Sequence, residues 1–316
     1  MQLIKAITTY VTFKRSLGLH FDSDDRRLRR FCRTMGGADV NMRDVTPAAV
    51  LAYLEGKGPV TAGWGLRFHT LDRFYRFAIS RGFTASSPLP TDLPQLPPPF
   101  VPYIYSSEEL RRMITATAVL ATPTSPLQAL TFRTLLLLLY GSAIRIGEAV
   151  SLTLTDVDLE QSILTVRNTK FYKSRIVPIG PKLTQVLSTY ATRRRRLPLP
   201  NGDASMFFAS RTGHHLRYEA VVTLFQRVRR AAALQREATA SYPPRLHDIR
   251  HTSCVHRLVS WYRTGADVQR LLPRLSTYLG HADLSSTQSY LTMTPELMRE
   301  ASSRFERYAH PEMYHD

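Results

Sequence analysis

A proline-dense segment divides this sequence and limits how it can fold. Seven of the residues from Pro88 to Pro102, PLPTDLPQLPPPFVP, are prolines. Proline has no backbone N–H and a fixed φ, so this stretch cannot continue a helix or pair inside a sheet. Dense proline instead favours an extended, semi-rigid linker. The sequence therefore predicts two domains, at residues 1–87 and 104–316, joined by a linker at 88–103.

The part before the linker has the pattern of a small helical bundle. Apolar residues recur at helical spacing in four segments that short connections separate. Ser23 is placed to cap the second helix, and Thr46-Pro47 combines a cap with a first-turn proline for the third. The aromatic residues of the fourth segment are predicted to lie in the core: Phe68, Phe74, Tyr75 and Phe77.

The part after the linker is predicted to be mainly helical with a small antiparallel sheet. Ser106 and Glu109 have the spacing of a capping box, and residues 129–140 have the composition of a buried helix. Residues 163–166 and 174–179 have the pattern of two strands joined by a polar turn. Helical patterns then return, so the fold class is mainly α with a small antiparallel β-sheet.

The chain carries a large excess of positive charge. Lys and Arg total 42 against 25 Asp and Glu, a formal net charge of +17, and a hydrophobic content of 43% excludes a disordered chain. Such an excess favours a polyanion such as nucleic acid, although charge alone does not separate an enzyme from a binding protein. The clusters Arg193–Arg196 and Arg227–Arg230 are candidates for phosphate contact, with a solvated helix face as the alternative for the first.

Cysteine content and hydropathy predict a cytoplasmic protein. Cys32 and Cys254 do not form a disulfide framework, which fits a reducing compartment. The N-terminus lacks the apolar core of a signal peptide. The longest aliphatic run, residues 135–139, is too short to span a bilayer, so no membrane association is expected.

Six residues of the second domain form an ordered set that suits phosphoryl transfer. Arg145 follows a buried apolar run and has Glu148 one helical turn away as its partner. Each member alone has an ordinary structural explanation, such as an ion pair or a solvated lysine. Their order in one domain is what points to chemistry: Arg145, Lys170, His247, Arg250, His281 and Tyr290.

These side-chain types match the attack of a protein group on a phosphodiester. Arginine donates two parallel hydrogen bonds to the extra negative charge of the transition state, and histidine donors add to them. A phenol, with a pKa near ~10, is a workable nucleophile and a workable leaving group. A lysine can protonate the departing oxygen. Since the sequence offers no carboxylate cluster to hold a metal, no metal and no other cofactor is expected.

A zinc site is the alternative for the histidines of this set. His247 and His251 are four residues apart, which resembles a zinc-ligand pair on a helix. However, no Glu directly follows His247, as metalloprotease helices require. Arg250 would also lie beside the ion and repel it.

Four sequence boxes resemble those of the tyrosine recombinases, also called phage integrases, a family that includes Xer-type resolvases. The resemblance covers about residues 104–300. Ser142-Ala143 stands where Thr-Gly is usual and Ile249 where Leu is usual, and neither departure alters a charged group. The boxes are YGSAIRIGE at 140–148, TKFYKSRIVPI at 169–179, LHDIRH at 246–251 and LGHADLSSTQSY at 279–290.

The resemblance implies a role for each residue of the set. Tyr290 would attack the scissile phosphate and leave a 3′-phosphotyrosine and a free 5′-hydroxyl. Arg145 and Arg250 would hold the phosphate, and Lys170 would protonate the leaving 5′-oxygen. The two histidines, His247 and His281, would stabilise the phosphate and help to manage the nucleophile's proton. Candidates for DNA contact on the hairpin are Lys173 and Arg175.

The resemblance also implies domain roles and partners. Residues 1–87 would be a helical core-binding (SAM-like) domain, and residues 104–316 a mixed α/β catalytic domain. The partners would be double-stranded DNA recombination sites and further copies of the chain, which act as a tetramer through a Holliday junction without ATP. Accessory recombinases or DNA-bending proteins are further candidate partners. Two alternatives are a type IB topoisomerase, which uses a similar site as a monomer, and a non-catalytic DNA-binding protein that keeps the fold.

The last predicted helix is a candidate for assembly. It begins at Thr294-Pro295 and has an apolar stripe at Leu297, Ala301, Phe305 and Tyr308. Such a helix can fold back on its own domain or dock on a neighbouring copy. The resemblance favours docking, as an exchange helix, with a monomeric free protein and a dimer or tetramer on DNA.

Overall fold

Two compact units make up the chain. The computed structural model describes residues 1–56, 58, 60–98, 100–167, 174–236, 242–281, 283–292 and 294–309. One unit begins at Met1 and ends at Phe100, and the second begins at Val101, a division that falls inside the predicted linker. In the part of the chain so described, no helix is both long and apolar enough to cross a membrane.

The N-terminal unit is a bundle of four helices. Phe74 and Tyr75 lie in its core, and Phe68 and Phe77 pack against that core, as predicted. The third helix has the predicted cap, because the Thr46 hydroxyl accepts a hydrogen bond from the backbone N–H of Ala49 at 3.3 Å. The helices are α1 (Leu3–Ser16), α2 (Asp22–Thr34), α3 (Pro47–Glu55) and α4 (Ala62–Ser80).

The predicted cap of the second helix is wrong. Ser23 lies inside the first turn of α2, which begins at Asp22. The residue before the helix is Phe21, whose φ of 56° is left-handed. Its ring lies against Tyr10, with 5.4 Å between the centroids. The chain therefore turns into α2 at the residue whose ring packs on α1. A local capping pattern in the sequence cannot predict this contact between two helices.

The second unit is mainly helical. Its first helix has the predicted capping box: the Ser106 hydroxyl accepts from the N–H of Glu109 at 3.1 Å, and the Glu109 carboxylate accepts from the N–H of Ser106 at 2.8 Å. The predicted buried helix 129–140 lies within α6. The helices are α5 (Ser107–Ala116), α6 (Gln128–Ser142), α7 (Ile146–Val150), α8 (Pro181–Arg194), α9 (Tyr218–Ala231), α10 (Asp248–Arg263), α11 (Val268–Leu279), α12 (Ser285–Gln288) and α13 (Pro295–Ala309).

A small antiparallel sheet accompanies these helices. Its strands are β1 (Val157–Asp158), β2 (Ile163–Val166) and β3 (Arg175–Pro178), paired in the order β1-β2-β3. Strands β2 and β3 match the predicted pair, whereas two residues are too few for β1 to show a period in the sequence. The turn between β2 and β3, with Lys170 and Lys173, lies outside the described residues.

Helix α10 organises the region where the predicted site residues meet. It packs against α6 on one side and against α13 on another. A second apolar core, separate from the main one of this unit, surrounds it. This core includes Cys254 and Leu258 of α10, Leu279 of α11 and Leu297 of α13. Tyr290, which lies between α12 and α13, also belongs to it. The predicted nucleophile is therefore part of a packed core.

Candidate active site

Arg145 lies at the junction of α6 and α7. Helix α6 ends at Ser142, and the chain turns at the next residue, Ala143, whose φ of 51° is left-handed. Glu148 then closes the first turn of α7, because its carboxylate accepts from both the N–H and Nη1 of Arg145, each at 2.9 Å. The predicted ion pair across one helical turn is confirmed. The left-handed position also explains why glycine suits position 143 better than alanine, since glycine adopts this φ without strain.

Three arginines converge on the C-terminal end of α11. The last carbonyls of a helix have no partner within it and carry the negative end of the helix dipole, so cations are favoured there. Here three consecutive carbonyl oxygens each accept a hydrogen bond from a different guanidinium. The pairs are Arg175 Nε with Tyr278 at 3.1 Å, Arg250 Nη2 with Leu279 at 2.9 Å and Arg145 Nη2 with Gly280 at 3.1 Å.

His281 follows this helix end and is held between two partners. Arg250 Nη2 lies 3.1 Å from Nε2 of His281, and Nδ1 of His281 lies 2.8 Å from the Thr287 hydroxyl. A guanidinium only donates, so Nε2 accepts and the proton resides on Nδ1. Burial lowers the pKa of His281 to about 4, and the charges of Arg250 and Arg145 act in the same direction. His281 is therefore neutral near neutral pH.

Tyr290 lies in a short 3-10 turn, Ser289–Thr292, and is only 3% exposed. Its ring centroid is 5.6 Å from that of His251 and 6.1 Å from that of His281. Burial raises the pKa of the phenol above its ordinary value, and the Cys254 thiol adds to this, while Arg250 acts in the opposite direction. The phenol is therefore protonated in this state and has to lose its proton to act as a nucleophile.

His247 and His251 lie at the start of α10. His247 is the residue before the helix, and its carbonyl accepts from the N–H of Arg250 at 3.1 Å. Burial, followed by the charge of Arg250, lowers the pKa of His247. Burial, followed by the interaction with His247, lowers the pKa of His251 to about 4. Both rings are thus available as neutral groups.

His251 is a residue that sequence reasoning left without a role. It lies between His247 and Tyr290, with centroid distances of 5.1 Å and 5.6 Å to their rings. Its Nδ1 is buried and has no hydrogen-bond partner in the described part of the chain. The available signal was its place in the LHDIRH box, directly after Arg250.

Arg175, a predicted DNA contact, has partners inside the protein. Its side chain is only 13% exposed in the free chain. Its Nη1 and Nη2 donate to the two oxygens of Glu148 at 3.0 and 2.8 Å. Its other predicted companion, Lys173, lies outside the described residues, as does Lys170. The sequence could not show that Arg175 has a partner 27 positions away.

Glu148 is the common partner of two of these arginines. Its Oε1 accepts from Nη1 of both Arg145 and Arg175. Burial alone would raise the pKa of Glu148, yet the hydrogen bonds from Arg175 and Arg145 and their positive charges lower it to about 2. The carboxylate therefore stays ionised at physiological pH and fixes two guanidinium groups.

The described site gathers charged donors next to a phenol. Arg145 and Arg250 hold their guanidinium groups on backbone carbonyls, and Arg250 also contacts His281, whose ring lies beside Tyr290. Guanidinium donors bind a phosphate strongly. A hydroxyl beside them can act as the nucleophile on a phosphate that binds there.

Comparison with known proteins identifies the family that shares these features. Residues 106–296 match the model of the phage integrase family. The chain belongs to that family. The matched region contains every residue of the predicted catalytic set, from Arg145 to Tyr290.

Relatives of this phage integrase family member align over most of their length. A Sinorhizobium fredii protein named as an integrase/recombinase, y4rB, is 35% identical over 306 residues, which is 96% of this chain and 96% of that protein. The tyrosine recombinase XerC of Oceanobacillus iheyensis is 32% identical over 238 residues, which is 74% of this chain and 71% of that protein.

Solved structures share the fold. The Tn1549 transposon integrase in complex with transposon right end DNA has a TM-score of 0.68 at 16% identity, covering 98% of this chain and 100% of that one. A lambda integrase tetramer bound to a Holliday junction has a TM-score of 0.63 at 18% identity, covering 92% and 77%. The mainly α fold with a small antiparallel sheet is the fold of the tyrosine recombinases, as predicted.

Proposed function

We propose that this phage integrase family member is a site-specific DNA recombinase that cuts and rejoins duplex DNA through a phosphotyrosine formed by Tyr290. The proposal rests above all on the grouping of Arg145, Arg250 and His281 at the C-terminal end of α11, where the His281 ring lies beside that tyrosine. Family membership supports it, since XerC and similar relatives are named tyrosine recombinases.

The proposed reaction is a transesterification that conserves the energy of the bond. The oxygen of Tyr290 forms a bond to the scissile phosphorus, and the bond from phosphorus to the 5′-oxygen breaks. The phenol proton passes to a neutral histidine. His247 is the first candidate, and His281 can accept the proton only after Arg250 has left its Nε2 for the phosphate. Lys170 gives a proton to the 5′-oxygen. A 5′-hydroxyl from the partner strand then attacks the phosphotyrosine in the reverse sense, so no ATP is consumed.

Arg145 and Arg250 are proposed to stabilise the phosphate in the transition state. In the free chain both donate to backbone carbonyls of residues 279 and 280. A phosphate oxygen carries more negative charge than a carbonyl oxygen, so it competes well for the same donors. Because the guanidinium groups are already gathered, little reorganisation is needed when the charge develops.

We further propose that the reaction passes through a Holliday junction in a tetramer. The lambda integrase structure with a similar fold is a tetramer bound to such a junction. The substrates of this chain would be two double-stranded recombination sites. A DNA substrate agrees with the cytoplasmic location that the sequence predicts. The accessory recombinases or DNA-bending proteins stay a prediction.

The nucleophile is tested with the Tyr290→Phe variant. Sequencing of the genomic fragments that this variant retains identifies a site, which is then built into a nicked suicide duplex. The wild-type protein is expected to give a covalent band on a denaturing gel, and Tyr290→Phe none, while both bind the duplex. The matched control is Tyr262→Phe, a partly buried tyrosine that packs on the same core and should keep the band.

Two outcomes would contradict the proposal. A covalent band with Tyr290→Phe would mean that another side chain is the nucleophile. Relaxation of supercoiled DNA without any preference for the recovered site would support the topoisomerase alternative instead.

A further inference from the structure

Arg175 joins three parts of the site through one guanidinium. It projects from β3, donates through two nitrogens to Glu148 of α7 and donates through Nε to the carbonyl of Tyr278 at the end of α11. A second bond ties the same elements, because the Tyr278 hydroxyl donates to the carbonyl of Pro178 in β3 at 3.2 Å. The strand is therefore fastened to the helix end that also holds Arg145 and Arg250.

The space around this guanidinium is closed on the side of Gly280. A Cβ built on Gly280 would lie 2.8 Å from Nη1 and 2.9 Å from Cζ of Arg175, which is too close for real atoms. Gly280 also has a φ of 68°, which glycine adopts without strain. The absence of a side chain at position 280 thus lets Arg175 lie flat against the backbone that carries the carbonyl bound by Arg145.

Charge supports a role inside the protein. Glu148 is bound by Arg145 and Arg175 together, and these two cations lower its pKa to about 2. Each carboxylate oxygen of Glu148 has one donor on Arg145 and one on Arg175, so without Arg175 the carboxylate would be held by Arg145 alone and would lose half of its hydrogen bonds. Arginine suits this task because its planar fork binds both oxygens at once, which a lysine cannot do.

We propose that Arg175 is a positioning residue that holds Arg145 and the α11 terminus in place and couples them to strand β3, and that it does not contact DNA. This inference rests on the proposed function. Because residues 168–173, which include Lys170, precede β3 in the sequence, the coupling would link the segment of the proposed general acid to the phosphate-binding arginines. Loss of Arg175 then impairs the reaction of bound DNA and leaves binding almost unchanged.

The test compares Arg175→Ala and Arg175→Lys with Arg167→Ala, the matched control. Arg167 follows β2 and pairs with Asp156 in the same sheet region, but its side chain is 59% exposed. Cleavage of prebound suicide duplex is measured in a single turnover, and the slope of log affinity against log salt is measured in the Tyr290→Phe background. A misplaced phosphate clamp is expected to slow cleavage by about 10²-fold in both Arg175 variants with an unchanged slope.

The opposite pattern would overturn the proposal. If Arg175 binds a phosphate, its removal lowers the salt slope by about 0.9 and leaves the cleavage of bound DNA unchanged. Full activity of Arg175→Lys would also contradict it, since a charge alone would then suffice. The salt slope does not depend on chemistry, so it still decides between the two roles even if the wild-type protein forms no covalent complex and the proposed function fails.

A second variant protects the test against misfolding. Gly280→Ala forces the guanidinium of Arg175 to move and is expected to reduce cleavage as well. If both act through the same contact, the double variant of Arg175→Ala and Gly280→Ala is no slower than the slower single variant. Independent, multiplicative defects would show that Gly280 and Arg175 act separately and would refute the coupling.

Discussion

Arg250 and His281 share a hydrogen bond in which the guanidinium donates and the imidazole accepts, Nη2 to Nε2 at 3.1 Å. The contact requires a neutral His281 with its proton on Nδ1, where the Thr287 hydroxyl receives it. A second proton, on Nε2, would oppose the Arg250 donor and place a further positive charge beside Arg145 and Arg250. Protonation of His281 and integrity of the site are therefore linked.

The first prediction is that the folded protein loses stability as the pH falls through the range of its buried histidines. Burial lowers the pKa of both His251 and His281 to about 4, whereas an unfolded chain binds these protons near pH ~6.5. Between the two values the unfolded chain binds more protons, so the free energy of unfolding decreases from about pH 6.5 towards about pH 4. The urea midpoint should be lower at about pH 5 than at about pH 7.

A pair of variants assigns this pH dependence. His281→Gln removes one of the buried titrating groups and should show a smaller difference between the two midpoints. His214→Gln, at an exposed position, should keep the full difference. An unchanged difference in His281→Gln would contradict the assignment.

The second prediction concerns the phosphate clamp. Arg145→Ala or Arg250→Ala should lower the cleavage rate of bound DNA by about 10²–10³-fold, because each removes a donor that acts mainly in the transition state. Affinity for the duplex should change little. Arg270→Ala, on the exposed face of α11, is the control for loss of charge. A weakened affinity with normal cleavage of the bound fraction would refute the assignment.

The third prediction concerns Lys170 as general acid. A thiolate leaves without needing a proton, so a duplex with a 5′-bridging sulfur should restore cleavage by Lys170→Ala. Cleavage rates on oxygen and sulfur substrates are compared for this variant and for Lys173→Ala. If Lys170→Ala cleaves the oxygen and sulfur substrates equally slowly, Lys170 is a positioning residue. If the sulfur substrate instead restores cleavage by Lys173→Ala, Lys173 is the general acid.

The fourth prediction separates the arginines of the 193–196 run. Arg194 is fully buried and donates to three carbonyl oxygens, those of Met206, Pro198 and Gly213, at 2.9, 3.2 and 3.5 Å. Arg194→Ala leaves these carbonyls without their donor and should cost roughly 3 kcal/mol of unfolding free energy. Only its exposed neighbours, such as Arg193 and Arg196, are free to contact phosphates.

The measurement uses urea unfolding together with salt-dependent DNA binding. Arg193→Ala with Arg196→Ala should leave stability unchanged and lower the salt slope if these residues touch phosphates. An unchanged slope would show that they form a solvated helix face. Normal stability of Arg194→Ala would contradict its structural role.

The fifth prediction concerns helix α13. In the single chain this helix lies against α10: Arg263 pairs with Glu296 at 2.8 Å and with Glu300 at 2.7 Å, and Leu297 is buried. Phe305, in contrast, is 68% exposed. The expected docking on a neighbouring copy stays a prediction, and Phe305 is an exposed apolar residue through which it can occur without disturbing the core.

Two substitutions on α13 distinguish packing from docking. Leu297→Ala should cost about 2–5 kcal/mol of stability, as buried leucines do. Phe305→Ala should keep stability and one-site DNA binding, but lose assembly on two-site DNA in native gels. Removal of residues 295–316 should also abolish that assembly. Normal assembly of Phe305→Ala and of the truncated protein would show that the helix serves only its own domain.

Local signals in the sequence predicted local structure well. The caps at Thr46 and Ser106 are formed by residues three positions apart, so their hydrogen bonds follow from spacing. Strands β2 and β3 are neighbours along the chain, so their alternating patterns predict the pair. The order of the four boxes likewise predicted the family. In both cases the information lies in neighbouring residues or in a pattern that a whole family shares.

Contacts between distant residues could not be predicted in this way. Arg175 has partners 27 and 103 positions away, and nothing near it in the sequence indicates that it faces inward. The role of the α11 terminus was missed for the same reason, since its three carbonyls become a common acceptor only when three separate segments meet. Cys254 and His251 are further examples, because only packing brings them to Tyr290.

The burial of Tyr290 also bears on when the proposed reaction can begin. A hydroxyl on a residue that is 3% exposed cannot meet a stray phosphate, so the turn Ser289–Thr292 has to shift before any strand is broken. For the proposed reaction, a duplex that merely collides with the protein leaves without a nick. Only DNA that stays bound long enough for this turn to open is at risk, so the same packing that completes a hydrophobic core also guards against accidental strand breaks.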